Sequence, residues 1–199
     1  MDDISVIIRS KNEARWIGHS IQSCLDLLKK PEIIIIDNNS TDETLQIARY
    51  FAHDPTLQEN DNYTSIKIYN IDQYTPGKAL NFGVSKANNE NILIISSHCV
   101  LTSIDFQLIK NKLDDYCCVF GNQNPFYNGK RITKRYLWSH FKDVPVENMY
   151  SQAESRYFIH NALCAYKRET LMKYQFSNDL QSKEDRYWAI SMISDGFKT

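Results

Sequence analysis

The stretch Asn91–Leu101, NILIISSHCVL, joins an unbroken apolar run to four small polar or metal-capable residues. A continuous apolar run of this length is typical of a strand that is buried on both faces, as in a parallel sheet. In open α/β sheets, ligands bind outside the carboxyl ends of the strands. His98 is therefore a candidate site residue, although this stretch taken alone favours a buried, hydrogen-bonded histidine in a strand-to-helix turn.

Strand-like and helix-like patterns alternate along the chain on both sides of this stretch. The predicted strands are Ile4–Ile8, Glu32–Ile36, Ser65–Ile71, Ile92–Ile95, Tyr116–Phe120 and one within Tyr157–Tyr166. The predicted helices cover 16–28, a segment through Ala48 capped by Ser40 or Thr41, 78–87, a segment through Leu113 capped by Ser103 or Asp105, 134–142, 168–174 and 181–194, with a long loop at 121–131. This alternation predicts a single-domain α/β fold with a mostly parallel central sheet flanked by helices.

Composition and charge argue against several functional classes. The chain has 23 basic and 24 acidic residues, so it lacks the cationic excess that favours nucleic acid. No apolar run approaches the roughly 18 residues that span a bilayer, and the first residues, MDD, carry acids where a signal peptide carries bases. We therefore expect a cytoplasmic protein without a transmembrane segment. Five cysteines without a CxxC spacing predict reduced, mostly buried thiols.

One predicted helix has a composition suited to a membrane surface. Lys134–Lys142, KRYLWSHFK, combines basic and aromatic residues at helical spacing. Such a helix can make peripheral contact with a membrane, and simple packing against the protein is the alternative.

Polar side chains cluster where the predicted strands end. Glu13 follows the first strand, Asp37 the second and His98 the fourth. Because the carboxyl ends of parallel strands share one edge of a sheet, these residues are expected to line one crevice. Asp37 can accept a hydrogen bond from a base or a sugar hydroxyl, or it can serve as a helix cap. Lys78 lies in the first turn of a predicted helix, where backbone N–H groups favour anions.

The order of these motifs carries more information than any one of them. A strand SVII is closed by Asn12-Glu13, and a strand IIIID is closed by NSTD; Gly77-Lys78-Ala79-x-Asn81, the SSHC turn and a late Glu184-Asp185 follow. In this order the chain resembles the inverting family 2 glycosyltransferases, which have the A-type, Rossmann-like nucleotide-diphospho-sugar transferase fold. The resemblance covers the chain from Ser5 to about Thr199.

The resemblance implies a set of site residues and two halves. Residues 1–120 correspond to the half that binds the nucleotide sugar, and residues 121–199 to the acceptor side. Arg9, Asn12 and Glu13 match the first nucleotide-contacting turn; Asp37 matches the carboxylate that contacts the base, usually uracil, with Asn39 in the same turn; Lys78 and Asn81 match a segment near the ribose and phosphates; Asp185, beside Glu184, matches the general base. Family members usually continue further, so the chain is also expected to be part of a longer protein.

The turn after the fourth strand departs from the family pattern. Its usual Asp-x-Asp, which binds a divalent metal, is replaced by Ser96-Ser97-His98. Imidazole suits Mn²⁺ better than Mg²⁺. Three interpretations remain open: His98 binds a softer metal together with the diphosphate, with or without Cys99; the site works without metal, using Lys78 or an arginine; or the chain is no longer catalytic.

The expected function is transfer of a sugar from a nucleotide-diphosphate donor, expected to be UDP-linked, to a hydroxyl acceptor. The acceptor is expected to be a glycan or a lipid-linked molecule in polysaccharide or glycoconjugate biosynthesis. The main alternative is a catalytically inactive nucleotide-binding or scaffolding module with the same fold. A nucleotidyltransferase ranks last, because Ser10 to Glu13 contain no glycine for a triphosphate-binding loop.

Overall fold

The computed structural model describes residues 3–55, 65–132, 144–152 and 154–199. Its strands are β1 (Ile4–Ser10), β2 (Glu32–Asp37), β3 (Ile66–Asn70), β4 (Asn91–Ser96), β5 (Val119–Phe120), β6 (Phe126–Tyr127), β7 (Lys130–Arg131), β8 (Tyr150–Ser151), β9 (Arg156–Tyr157) and β10 (Leu163–Lys167). Its helices are α1 (Ile17–Leu27), α2 (Thr44–Ala52), α3 (Pro76–Lys86), α4 (Phe106–Lys112), α5 (Arg168–Lys173) and α6 (Glu184–Ser194).

The central sheet has six strands in the order β3-β2-β1-β4-β10-β5. The first four are parallel, and β10 runs antiparallel to both of its neighbours. The strand β10 belongs to the second half of the chain, yet it lies between two strands of the first half. The mostly parallel sheet predicted from the alternating pattern is thus confirmed, and the two halves share one sheet.

The core lies on both faces of this sheet, because the central strands are apolar on both sides. Val6 pairs with Ile33 on one side and Leu93 on the other, and all three are buried. Odd-numbered and even-numbered residues of β1 contribute to different apolar clusters, one on each face. The all-apolar strands place their polar ends together at the carboxyl edge of the sheet.

The helix caps divide into one correct and one wrong prediction. Asp105 caps α4, since its carboxylate accepts a hydrogen bond from the Leu108 N–H at 2.9 Å. Neither Ser40 nor Thr41 caps α2, which begins three residues later than Thr41. The N–H of Thr44 instead donates to the Asp42 carboxylate at 3.0 Å. Ser40 is engaged with Asp37, so it is unavailable as a cap.

Two predictions between residues 116 and 131 are corrected by the structure. The loop at 121–131 contains the hairpin β6–β7, whose turn Asn128-Gly129 has φ values of 49° and 72°. The predicted strand Tyr116–Phe120 is reduced to β5, whereas the strand expected within Tyr157–Tyr166 is present as β10, which begins at Leu163. Apolar alternation reports burial, whereas strand length depends on where a pairing partner lies. The helix predicted at Lys134–Lys142 lies outside the described residues.

The cysteines and the helices agree with the bulk composition. All five thiols are free, four of them buried and Cys99 partly exposed. Within the described ranges, no helix is long and apolar enough to cross a membrane.

Candidate nucleotide and base site

Side-chain hydrogen bonds connect the turn after β1, at residues 11–13, to the turn after β2, at residues 38–42. We call these two segments the laced turns. Lys11 donates through Nζ to the carbonyl oxygens of Asn38 at 2.6 Å and Asn39 at 2.9 Å. In the opposite direction, the N–H of Thr41 donates to Asn12 Oδ1 at 2.8 Å. The convergence of these strand ends, expected from the parallel topology, is therefore observed for the first two turns.

Asp37, the last residue of β2, lies next to the laced turns and is fully buried. Its Oδ1 accepts hydrogen bonds from the hydroxyl groups of Ser10 at 2.9 Å and Ser40 at 2.6 Å, and its Oδ2 accepts from the Ser40 N–H at 2.7 Å. Three donors from the protein already satisfy this carboxylate. The next side chain, Asn38, is half-exposed at the carboxyl edge of the sheet. The geometry thus gives Asp37 a role in shaping the turn and makes Asn38 the more accessible candidate for a base contact.

Two asparagines of these turns have a backbone function. Asn12 and Asn39 have φ values of 52° and 51°, in the left-handed region that asparagine tolerates better than most residues. The Asn39 side chain is exposed and donates to the Ile71 carbonyl at 3.4 Å. Both positions therefore fix the shape of the crevice wall, whether or not they also touch a ligand.

Glu13 and His98 join the turns after β1 and β4. His98 Nδ1 lies 3.4 Å from Glu13 Oε1, and the imidazole side chain is 59% exposed. Burial and the Glu13 charge raise the pKa of the Cys99 thiol to about 11, so this thiol stays protonated near neutral pH and is a poor ligand. Among the described residues, no cluster of three or more His, Cys, Asp or Glu side chains is placed to hold a metal.

The start of α3 packs against the segment that precedes α6. Thr75 caps this helix by accepting from the Lys78 N–H at 3.2 Å, and Lys78 itself is half-exposed in the first turn. The Asn81 amide nitrogen donates to the Phe176 carbonyl oxygen at 2.8 Å, and the Asn81 amide oxygen accepts from the Phe176 N–H at 3.1 Å. A Cβ at Gly77 would lie 1.9 Å from the Ser177 carbonyl oxygen, so only glycine permits this approach. Asn81, predicted to lie near the donor, thus holds one wall of the site.

An ion pair brings the start of α6 to the end of β1. Arg9 Nη1 lies 2.8 Å from Glu184 Oε1, and the Glu184 side chain is almost fully buried. Tyr74 lies beside both groups, and burial raises the pKa of its hydroxyl. Two residues 175 positions apart in sequence are thereby joined. This contact places the predicted base beside the nucleotide-side turns.

Asp185 is buried, and one of its two carboxylate oxygens accepts only one hydrogen bond within the described part of the chain. Its Oδ1 accepts from the Arg186 N–H at 2.8 Å and from Arg186 Nη1 at 3.2 Å, while its Oδ2 accepts from the Asn161 N–H at 3.2 Å. Burial and the neighbouring Glu184 charge raise the pKa of Asp185, and the Arg186 charge opposes that shift. A carboxylate with a raised pKa is a stronger base for a hydroxyl proton.

Several residues around Asp185 carry no signal in the sequence. Arg186 donates through Nε to Glu154 Oε1 at 3.1 Å, and its guanidinium lies 4.6 Å from the Phe158 ring centre. Asn161 links three parts of the site, because its side chain accepts from the Tyr166 hydroxyl at 2.7 Å and its carbonyl from the Ser96 hydroxyl at 3.3 Å. These contacts cross 5 to 65 positions of sequence, and no local pattern indicates them.

The family of this chain follows from a comparison of sequences. The model of a family described as Glycosyl transferase family 2 matches residues 5–175. The chain therefore belongs to glycosyl transferase family 2. A curated relative from Methanococcus voltae, the dolichyl N-acetyl-alpha-D-glucosaminyl phosphate 3-beta-D-2,3-diacetamido-2,3-dideoxy-beta-D-glucuronosyltransferase, is 32% identical over 119 residues, which cover 58% of this chain and 34% of the relative.

Solved structures confirm the A-type glycosyltransferase fold. Staphylococcus aureus TarS 1–349 in complex with UDP-GlcNAc matches 94% of this chain and 52% of its own, at a TM-score of 0.62 and 22% identity. The mannosyltransferase PcManGT from Pyrobaculum calidifontis, in complex with GDP-Man and Mn²⁺, matches 98% of this chain and 53% of its own, at a TM-score of 0.67 and 17% identity. The chain thus spans about a third to a half of the length of these relatives.

Proposed function

We propose that this chain is the donor-binding and catalytic part of an inverting glycosyltransferase. It transfers a sugar from a nucleoside-diphosphate donor, UDP-linked in the first instance, to a hydroxyl group of a glycan or lipid-linked acceptor in glycoconjugate synthesis. The observation that carries the proposal is the Arg9–Glu184 ion pair, which sets Asp185 at the same sheet edge as the laced turns. The turns proposed to hold the nucleotide and a buried carboxylate base then lie at one edge of the sheet.

Asp185 is the proposed general base. It takes the proton of the acceptor hydroxyl on Oδ2, which accepts one long hydrogen bond within the described part of the chain. The acceptor oxygen forms a bond to the anomeric carbon while the bond from that carbon to the diphosphate oxygen breaks on the opposite face, so the configuration inverts. Glu184 is held by Arg9 and orients the start of α6.

The nucleotide is proposed to lie on the laced turns. Asn38 offers an amide to the base, while Asp37 keeps the turn in shape through its three hydrogen bonds. Lys78, half-exposed in the first turn of α3, supplies positive charge for the diphosphate. The TarS structure that contains UDP-GlcNAc supports a uridine donor by analogy, and the GDP-Man complex of PcManGT leaves guanosine as the comparison donor.

A divalent cation is proposed to be held by Glu13 and His98. A carboxylate and an imidazole 3.4 Å apart form a donor pair that suits Mn²⁺ better than Mg²⁺. Two protein ligands fit such an ion when diphosphate oxygens complete its coordination. When bound, the ion would neutralise the charge that develops on the leaving diphosphate.

The acceptor class is proposed from the Methanococcus voltae relative. The name of that protein specifies a dolichyl-phosphate-linked acceptor. The acceptor side of this chain comprises the segment from Gly121 to Gln181, which contains the hairpin β6–β7 and the strands β8 and β9.

Release of nucleoside diphosphate tests the proposal. The chain is incubated with UDP-linked and GDP-linked sugars, Mn²⁺ and a polyprenyl-phosphate sugar acceptor, and released UDP or GDP is measured. Acceptor-dependent release from one donor supports a transferase, and a β-linked product from an α-linked donor shows inversion. A product of retained configuration would contradict the inverting mechanism.

A second candidate function is a nucleotide-binding module without transfer. The substitution of Ser96-Ser97-His98 for the usual metal-binding turn and the deep burial of Asp185 favour it. This module would bind UDP or GDP in calorimetry, yet no donor would release nucleoside diphosphate beyond the buffer rate.

A further inference from the structure

The hairpin β6–β7 stands apart from the central sheet as a separate two-stranded sheet. Its four strand residues are all exposed, with Phe126 at 63% and Tyr127 at 69%. The turn Asn128-Gly129 has positive φ at both positions, which is the two-residue turn that matches strand twist in hairpins. The sequence therefore specifies this projecting structure, although its side chains gain little from burial in the protein.

Each face of the hairpin carries one aromatic and one cationic side chain. Phe126 lies opposite Arg131, and Tyr127 lies opposite Lys130. Residues 121–132 contain no aspartate or glutamate. Within the described part of the chain, neither Lys130 nor Arg131 lies within ion-pair distance of a carboxylate. The hairpin is thus a cationic and aromatic tip without internal charge compensation.

Aromatic rings and basic side chains together suit the interface of an anionic membrane. The rings favour the boundary between headgroups and acyl chains, and Lys and Arg bind lipid phosphates. We propose that the hairpin β6–β7 docks this protein onto an anionic lipid surface. The turn Asn128-Gly129 enters the lipid surface first. Both faces of the hairpin carry one aromatic and one cationic residue, so neither face is suited to lie flat on the membrane.

The docking places the candidate site near the lipid surface. The strand β5 ends at Phe120, on the same sheet edge as the carboxyl end of β4, since both strands run antiparallel to β10. The next residue, Gly121, accepts a hydrogen bond from His160 Nε2 at 2.9 Å, which holds the root of the hairpin. Access to a lipid-linked acceptor is a consequence that rests on the proposed function, whereas docking itself does not.

Vesicle flotation with matched variants tests the docking. The 199-residue chain is mixed with phosphatidylcholine vesicles that contain or lack phosphatidylserine, and the bound fraction gives a partition coefficient. Two double variants are compared with the wild type, Phe126→Ser/Tyr127→Ser and Lys130→Gln/Arg131→Gln. Each is expected to lower binding to the anionic vesicles about tenfold or more. For the cationic pair this follows because one cation near such a surface contributes roughly fivefold. Tyr50→Ser, at an equally exposed tyrosine on α2, and Lys112→Gln/Lys173→Gln, at exposed lysines elsewhere, are the controls and keep wild-type binding.

The outcomes separate docking from other roles of the hairpin. Because all four side chains are exposed, the hairpin variants keep the wild-type unfolding midpoint and UDP affinity. Equal vesicle binding by wild type and both hairpin variants, or no binding to anionic vesicles by any of them, overturns the proposal. A change from dimer to monomer in light scattering without a change in vesicle binding would assign the hairpin to a protein interface. Since no donor or acceptor is present, failure here leaves the proposed transfer reaction untouched.

Discussion

Two buried carboxylates at the same edge of the sheet have opposite surroundings. Asp37, the last residue of β2, is held by two serine hydroxyl groups and a backbone N–H, all neutral donors. Asp185, at the start of α6, lies between the charged groups of Glu184 and Arg186. Each carboxylate accepts three hydrogen bonds, two on Oδ1 and one on Oδ2. The bond to Oδ2 is longer in Asp185, at 3.2 Å against 2.7 Å in Asp37, and the raised pKa of Asp185 suits a base.

The comparison shows why burial alone does not identify a catalytic acid or base. Asp37 is the more deeply buried of the two, yet all of its hydrogen-bond donors are neutral groups, from Ser10 and Ser40. Crowding of charges around Asp185 costs free energy of folding, and such costs are often retained at functional sites. In the proposed mechanism, the turns after β1 and β2 therefore shape the site, and the start of α6 supplies the general base.

The largest expected effect follows removal of the base. Asp185→Asn keeps the side-chain shape but cannot accept the acceptor proton, so transfer should fall about 100- to 10,000-fold. The Kd of UDP should stay within about twofold, because the proposed nucleotide contacts lie on other elements. Initial rates of UDP release and calorimetry of UDP binding measure the two quantities.

The matched control for this variant is Asp195→Asn at the opposite end of the same helix. Asp195 is exposed and follows the last residue of α6. It should retain wild-type transfer and UDP affinity. Near wild-type transfer by Asp185→Asn would show that the proton leaves by another route.

The next largest effect concerns Asp37, which shapes the turns after β1 and β2. Asp37→Ala leaves the buried Ser10 hydroxyl and the partly buried Ser40 hydroxyl without their acceptor. The free energy of unfolding should fall by about 3 kcal/mol, from three lost hydrogen bonds at about 1 kcal/mol each. UDP binding should weaken as the turn loosens. Urea denaturation of the variant and the wild type measures the difference.

The neighbouring Asn38→Ala should behave in the opposite way. Its half-exposed amide contributes little to stability, so unfolding should change by less than about 0.5 kcal/mol while UDP affinity falls about fivefold or more. A stable Asp37→Ala with weak UDP binding, together with an unaffected Asn38→Ala, would return the base contact to Asp37.

The sequence indicated the frame better than the chemistry. Apolar strands of β-branched residues end in polar turns, and this order alone predicted a parallel sheet whose ends converge. Asn12 and Glu13 indeed contact the neighbouring turns. These contacts join strands that are neighbours in the parallel sheet, β1 with β2 and β1 with β4, whose carboxyl ends share one edge.

Contacts across the whole chain were beyond reach of such reasoning. The resemblance implied the base Asp185, but no pattern indicated that Arg9 pairs with Glu184 to position it. Nor did periodicity show that β10 enters the sheet antiparallel between β4 and β5. The turn Asn128-Gly129 is the exception, because an Asn-Gly pair is a strong local signal for a hairpin that the prediction of a loop overlooked.

A third effect is a loss of stability on mild acidification. Burial lowers the pKa of His160 from 6.5 to about 4, and its ring is hydrogen-bonded to Gly121 and Gln123. The unfolded state therefore takes up the proton first as the pH falls below 6.5. The free energy of unfolding should fall by about 2 kcal/mol from this group between pH 7.5 and pH 5.

The control for that prediction removes the titrating ring. His160→Gln should have a pH dependence of stability that is flatter by the same amount, even though its stability at neutral pH is lower. Urea denaturation across this pH range measures both slopes. Parallel slopes for the two proteins would mean that His160 is protonated alike in the folded and unfolded states.

The last expected effect concerns the Glu13–His98 pair. Glu13→Gln and His98→Ala should each reduce the enhancement of UDP binding by Mn²⁺ about tenfold while leaving metal-free UDP binding within about twofold. Calorimetry with Mn²⁺ or with EDTA measures both values. If both variants retained the full enhancement by Mn²⁺, the ion would have to be bound elsewhere.

Titration of UDP into the wild-type chain is the most direct test of the nucleotide site. In the presence of Mn²⁺, we expect one UDP per chain, with a Kd that rises in Asn38→Ala and is unchanged in Asp185→Asn. That result would place the nucleotide on the laced turns and leave the proposed general base, Asp185, on the acceptor side. Absence of binding by both UDP and GDP, with a folded protein, would contradict the assignment of this sheet edge as a nucleotide-sugar site.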